Sequence, residues 1–287
     1  MHADAAEFFY TFAFMKNLIL TLILCLTVCG VQAQSYDDYV RRGLSAAAAD
    51  SLAEAEHLFR EAMRLEPAQR SNAMLHYYIG QIQEKRQETD LALESYTMGL
   101  NIAPHLVPLR MGRAALYMQL NRKEMALLDY SDILDWKPDY TDALFMRAYI
   151  YSEQKLYKKA RTDYEALLKI EPSNEKAQIG LVLVNDKDNR PREAMEQINA
   201  MIAALPDHAI LYAVRAGMEH GRKLYELAEI DFQKAVTLDP ENPDFLISRA
   251  MLYIDIKENK KARADLEKAL QLGGDAQTVA SLMHQIR

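Results

Sequence analysis

The sequence predicts an all-α fold, an α-solenoid of repeated helix-turn-helix units, and three observations carry the prediction. Prolines fall at 67, 104, 138, 172, 206 and 240, one gap of 37 residues followed by four gaps of 34. Each proline closes a stretch of helical apolar period: FREAMRLEP, YTMGLNIAP, YSDILDWKP, YEALLKIEP, INAMIAALP and FQKAVTLDP. Twelve and eight residues upstream of each stand a small and a large side chain: Ala55 and Phe59, Ala92 and Tyr96, Ala126 and Tyr130, Ala160 and Tyr164, Ala194 and Ile198, Ala228 and Phe232. Four residues apart, such a pair shares a helix face, where the alanine admits a neighbouring helix and the larger side chain fills the space beside it.

The first 33 residues are of another kind. From Met15 they read MKNLILTLILCLTVCGVQA, with Lys16, a run free of charge from Leu18 to Cys29, and a small residue at Ala33. That order predicts a signal peptide over 1–33, cleaved after Ala33, with Met15 as the true start. A membrane anchor retained over residues 8–31 is the alternative. Both cysteines, Cys25 and Cys29, lie here, so the mature chain has neither a disulfide framework nor a cysteine-held zinc site. Lipidation of Cys29 is disfavoured by Val28, where a small residue is wanted. With no Asn-x-Ser/Thr acceptor either, a bacterial envelope or periplasm is the expected destination. The full sequence carries a net charge of −7, and −6 remains once Lys16, Asp4 and Glu7 are removed with the leader, so no basic face for nucleic acid is expected.

After the leader, seven repeats are expected at about 36–69, 73–106, 107–140, 141–174, 175–208, 209–242 and 243–274, then a capping helix within 275–287. The first half of a repeat is also helical: LRMGRAALYMQL, LFMRAYIYSEQ, LYAVRAGMEH and LISRAMLYIDI keep a small residue, Ala114, Ala148, Ala216 or Ala250, at one register, as YYIGQIQ keeps Gly80. Tyrosine often follows three residues later. Ser51 with Glu54 and Asn121 with Glu124 fit the capping box of a second helix, and Pro191 fits a first helical position. The seventh repeat keeps Ala262, Leu266 and Ala269 but ends on Gly274, after which Asp275 caps a helix from Ala276 to Ile286. Repeat five, with Asn185 at the tyrosine register and a charged turn from Asp186 to Arg192, reads as drift, with a bend in the array as the alternative.

These registers resemble the consensus of the tetratricopeptide repeat over residues 36–274, although the tryptophan near the start of the family's unit is absent, with Tyr39, His76, Arg110, Leu144, Gln178, Tyr212 and Leu246 there instead. The resemblance implies a right-handed superhelix whose first helices line a concave groove. On that implication the groove residues are Tyr77, Gln81, Met111, Met118, Phe145, Tyr149, Ile179, Leu183, Ile247 and Met251. Methionine and aromatic side chains on such a face suit a peptide or helix of a partner.

One charge stands inside an apolar first helix, Arg147 in LFMRAYIY, and it recurs as Arg113, Arg215 and Arg249. Sixteen residues after each comes an aspartate: Asp129, Asp163, Asp231 and Asp265. Repeats two and five lack both charges, having Ile79 with Ser95 and Leu181 with Gln197. Charges that come and go together predict an Arg–Asp pair clamping the two helices of a repeat, with two parallel hydrogen bonds. In repeat one Arg42 faces Leu58, at an open end where it reaches water.

No phosphate-cradling glycine loop, Gly-x-Ser-x-Gly or His-Glu-x-x-His occurs. His57, His76, His105, His208, His220 and His284 are isolated, and Trp136 shares the register of Leu65, Ile102, Ile170 and Leu238, which reads as core. No cofactor, no metal and no catalytic residue is expected. The chain reads as an adaptor or scaffold binding an unidentified protein or peptide partner in the cell envelope. A self-assembling structural component with no separate peptide ligand is the alternative, and membrane contact is expected only if the leader is retained.

Overall fold

The computed structural model describes residues 35–286, so the leader, its cleavage after Ala33 and the anchor reading lie outside the described residues. Within them are fifteen helices and no strand. They run in pairs: α1 (Tyr36–Ala48) and α2 (Leu52–Leu65), α3 (Asn72–Lys85) and α4 (Thr89–Ile102), α5 (Val107–Gln119) and α6 (Lys123–Trp136), α7 (Thr141–Glu153) and α8 (Tyr157–Ile170). There follow α9 (Glu175–Lys187) and α10 (Pro191–Ala204), α11 (Ala209–Gly221) and α12 (Tyr225–Leu238), α13 (Pro243–Asp255) and α14 (Asn259–Gln271), and the single α15 (Ala276–Gln285). Two compact units divide the chain, one ending at Arg113 and one beginning at Ala114.

The alanine of each second helix, from Ala55 to Ala262, is wholly buried, and the large residue four positions on is at most 3% exposed. Tyr96 shows why small partners are needed around these rings. A Cβ at Gly80 would meet its ring at 2.5 Å and one at Gly112 at 2.9 Å, so glycines on two helices leave it room. Its hydroxyl donates to Glu84.

The turn inside a repeat differs from the expected capping boxes. Ser51 is the N-cap of α2 but its side chain accepts no hydrogen bond, and α6 is capped by Arg122, not Asn121. Asn121 lies one position earlier in the left-handed region, φ +56°, as do Asp50, Gln87, Lys155, Asn189, Lys223 and Lys257. The residue after each donates its N–H five residues back, as Leu156 does to Tyr151 O at 2.8 Å and Leu224 to Glu219 O at 3.0 Å. This closes the first helix in a Schellman motif, and Asn121 serves there through its tolerance of positive φ. Pro191 does open α10, and Asp275 caps α15 by accepting from Thr278 N at 2.7 Å. Trp136 is 37% exposed, and Leu65 and Ile170 at its register are 47%, so this register is the margin of the repeat rather than its core.

Three Arg–Asp clamps are in place, each bidentate: Arg147 to Asp163 at 2.7 and 2.8 Å, Arg215 to Asp231 at 2.5 and 2.8 Å, Arg249 to Asp265 at 2.8 and 2.7 Å. Hydrogen bonding to Asp163 holds Arg147 above its usual range. Of the fourth predicted couple, Asp129 is buried in the second compact unit and Arg113 belongs to the first, where it donates to Thr97 Oγ1 at 3.1 Å. Arg42 is exposed, as an open end allows. The arginines also reach sixteen residues backwards, into the second helix of the preceding repeat: Arg215 to Asn199 at 2.7 Å and Arg249 to Gln233 at 2.6 Å, as Arg113 does to Thr97. One guanidinium thus ties three helices.

Repeats two and five replace the clamp by another lock, and repeat five is not drift. Asn185 is wholly buried. It accepts from Arg161 Nε at 2.8 Å and donates to Gln197 Oε1 at 3.1 Å, while Arg161 also donates to Asp188. In repeat two Gln83 accepts from Ser95 at 2.7 Å and donates to Glu56 at 3.4 Å, and Arg86 donates to Glu56 at 2.9 Å. Glu56 and Arg161 occupy one register, as do Gln83 and Asn185, Arg86 and Asp188, and Ser95 and Gln197. The two locks have the same layout with the charges exchanged.

Candidate functional site

In the first compact unit, Tyr77 is half-buried, with Tyr78 at 5.7 Å and Tyr96 at 6.1 Å between ring centroids, and its hydroxyl accepts from Gln81 at 2.9 Å. Met111 on α5 is half-buried. In the second unit Tyr149, Leu183 and Met251 are 41%, 39% and 45% exposed, on the first helices α7, α9 and α13. Met118 is half-buried, Phe145 packs edge-on against Tyr164 at 5.9 Å, and Ile179 packs on the core of Val182, Ala194 and Ile198. Ile247 is a correction: it is 8% exposed, within a core that includes Val279, Leu282 and Ile286, because the apolar face of the terminal segment closes that end. It offers almost no surface to a partner.

Two histidines are not isolated. His208 Nε2 lies 2.8 Å from Glu175 Oε1 and His220 Nε2 lies 2.8 Å from Asp255 Oδ2, so α11 is joined near both ends to a neighbouring first helix. Burial lowers His76. Burial also pushes the Tyr130 and Tyr164 hydroxyls up to about 12, so both remain neutral donors at any physiological pH.

One acidic group escaped the sequence analysis. Glu219 stands at the tyrosine register of repeat six, is 7% exposed, and its Oε2 has no hydrogen-bond partner. Burial, and then the charge of Asp231, push it up to about 7 against the pull of Arg215 and Arg222. It lines a cleft of about 290 Å3 with Met195, Asn199, Arg215, Leu227, Ile230 and Asp231. The available signal was Glu219 itself, a carboxylate where repeats three, four and seven have Tyr117, Tyr151 and Tyr253. Among the described residues no group of three His, Cys, Asp or Glu could hold a metal ion, and no helix is long and apolar enough to cross a membrane.

Family models described as tetratricopeptide repeat match residues 40–105, 141–174, 181–243 and 243–272. The chain is a tetratricopeptide repeat protein. A tetratricopeptide repeat protein from Parabacteroides merdae ATCC 43184 has a similar structure, with a TM-score of 0.77 and 26% identity, covering 88% of this chain and 99% of that one. Yeast Tom70 shares the fold, with a TM-score of 0.62 and 15% identity, over 88% of this chain and 57% of that one. Among curated sequences, DnaJ homolog subfamily C member 3 of Gallus gallus is 22% identical over 193 residues, 61% of this chain and 38% of that protein. This tetratricopeptide repeat array therefore spans well under half of that relative's length. The family in general supplies binding scaffolds rather than enzymes.

Proposed function

We propose that the chain is a non-enzymatic protein-binding scaffold, exported to the cell envelope, that receives a peptide or helix of a partner protein on the first-helix face of its repeats. The observation that carries this reading is the row of exposed apolar side chains, Tyr149, Leu183 and Met251, on α7, α9 and α13. A tetratricopeptide array with uncharged, adaptable side chains on its first helices suits an amphipathic segment. Export rests on the leader sequence alone.

The test is crosslinking of the chain in its own cells, read by mass spectrometry, beside variants Tyr149→Ser and Phe145→Ser with Tyr149→Ser. Loss of particular crosslinked proteins in both variants supports the groove. Unchanged partners in both would remove it. Tyr149→Ser is the cleaner probe, since Phe145 also packs on Tyr164. A second reading, self-assembly, is favoured by Leu128 and Ile230, which are 60% and 65% exposed on second helices. A discrete oligomer in light scattering that Leu128→Ser or Ile230→Ser dissolves would select it.

A further inference from the structure

Repeats four, six and seven align register on register, and two positions, eight residues apart, set the sixth apart. In repeat four the residue four after the clamp arginine is Tyr151, and Lys159 Nζ stands 5.3 Å from its ring centroid. In repeat seven Tyr253 and Lys261 repeat the arrangement at 5.0 Å. In repeat six the tyrosine is replaced by Glu219 and the lysine by Leu227. Repeat three has Tyr117 and Met125 at these two registers, and so carries no charge at either.

A carboxylate thus stands where the other two repeats have a ring, and the register that holds a lysine over that ring holds a leucine. Two guanidiniums of its own helix attract the carboxylate, but both are hydrogen-bonded to other groups. On Glu219's own helix, Arg215 spends its donors on Asp231 and Asn199, and Arg222 donates to Asp186 of α9. From α12 the charge facing Glu219 is Asp231, which repels, and α10 contributes Met195 and Asn199 to the cleft. The neighbouring His220 is engaged with Asp255 of α13. Glu219 is thus nine-tenths buried, short of a hydrogen-bond partner at Oε2, and lines a cleft together with Met195, Leu227 and Ile230.

We propose that the cleft between α10 and α12 is a binding site for a primary alkylammonium group, such as a lysine side chain of a partner, whose methylenes lie along Met195, Leu227 and Ile230 and whose ammonium pairs with Glu219. The incoming ammonium occupies the place that Lys159 and Lys261 fill in their own repeats. Aliphatic stem and charged head match an apolar wall beside a carboxylate. Binding favours the ionised carboxylate, so it lowers the titration midpoint of Glu219 and releases a proton near neutral pH. The cleft shares no residue with the row of Tyr149, Leu183 and Met251, so the two proposals stand or fall independently.

The test uses the whole chain, with the Glu219 side-chain carboxyl observed by carbon-13 NMR and assigned by its absence in Glu219→Gln. Probes are acetyl-Gly-Lys-Gly-amide, its norleucine analogue, and 1,5-diaminopentane. The expected result is a midpoint lowered by about one pH unit with the lysine peptide and unmoved by the norleucine peptide. Leu227→Lys places a lysine at the register itself. It is expected to show the lowered midpoint without any probe and no further response. A response to the diamine alone assigns a free amine as the ligand in place of a chain-borne lysine. The proposal is overturned if the norleucine peptide acts as strongly as the lysine one, if neither amine moves the midpoint, or if Leu227→Lys titrates as the wild type does. Should Glu219→Gln fail to fold, the signal is assigned by its absence in Glu219→Asp, and the Leu227→Lys comparison then decides. Loss of partner crosslinks in Tyr149→Ser with a normal ammonium response separates failure of one site from failure of the other.

Discussion

Replacing Arg147 and Asp163 by leucine, singly and together, tests the clamp most directly. The side chains are unequally buried, 21% exposed for Arg147 and 6% for Asp163. Two charge-assisted hydrogen bonds join them, at 2.7 and 2.8 Å, each contributing roughly 1.5–3 kcal/mol. Arg147→Leu strands a buried carboxylate and is expected to cost about 3–5 kcal/mol. Asp163→Leu leaves a guanidinium that reaches water and lies 5.9 Å from the Tyr151 ring centroid, so its cost falls to about 1–2 kcal/mol. The double leucine variant removes both the charge and its counter-charge and is expected to cost no more than Arg147→Leu alone. The coupling energy is then at least about 1–2 kcal/mol. Urea unfolding followed by circular dichroism gives the totals, and amide exchange across α7 and α8 shows whether the loss is local, since repeat arrays open in parts. Additive losses would refute the pairing, and an aspartate variant worse than the arginine variant would refute the burial argument.

Four further outcomes are expected. Glu219 titrates at about 7 folded against near 4.5 unfolded, so the fold favours its neutral form: stability is complete below about pH 4.5 and declines as pH rises through 7. The full shift corresponds to about 3 kcal/mol, reduced by solvent in the cleft to about 1–2, so Glu219→Gln should raise Tm above pH 7 and not below pH 4.5; a pH-independent difference would refute this. Gly80→Ala drives a methyl to within 2.5 Å of the fully buried Tyr96 ring and should cost about 1–3 kcal/mol in urea unfolding. Lys223→Gly relieves a left-handed residue at φ +63° and should stabilise by about 0.5–1 kcal/mol, while Lys223→Val should destabilise. Mass spectrometry of the mature protein from its own cells should find Gln34 at the N-terminus; an intact residue 1 or 15 would favour the retained anchor.

The period was legible because proline, alanine and a ring recur at fixed distances whatever the surroundings. The Arg147–Asp163 clamp was legible for a related reason: both charges sit within one repeat, so spacing alone joins them. The lock of Arg161, Asn185 and Gln197 was not, because it crosses from one repeat to the next over 24 and then 12 residues, and Asn185 alone looks like a failed tyrosine. Setting it beside Glu56, Gln83 and Ser95 would have exposed the pattern. The backward bonds of Arg215 and Arg249 were also readable, since Thr97, Ser131, Asn199 and Gln233 precede the clamp arginines by sixteen residues and are all polar. Burial of Ile247 depends on α15, whose docking no register within the repeat announces. Asn121 misled because the same residue type serves a helix cap and a left-handed turn.

A chain of near-copies faces a folding hazard that a chain of dissimilar parts escapes, because any second helix offers nearly the right surface to any first helix. The exchanged charges of the two locks act against that hazard. If the second helix of repeat four docked on the first helix of repeat two, Arg161 would meet Arg86; if that of repeat one docked on repeat five, Glu56 would meet Asp188. Each mismatch sets like charges side by side where the correct neighbour offers an opposite charge and a bridging amide. The order of the repeats is thereby written into their contacts as a keyed sequence, and units two and five are the keys that would have to be recut before this array could be shuffled or shortened.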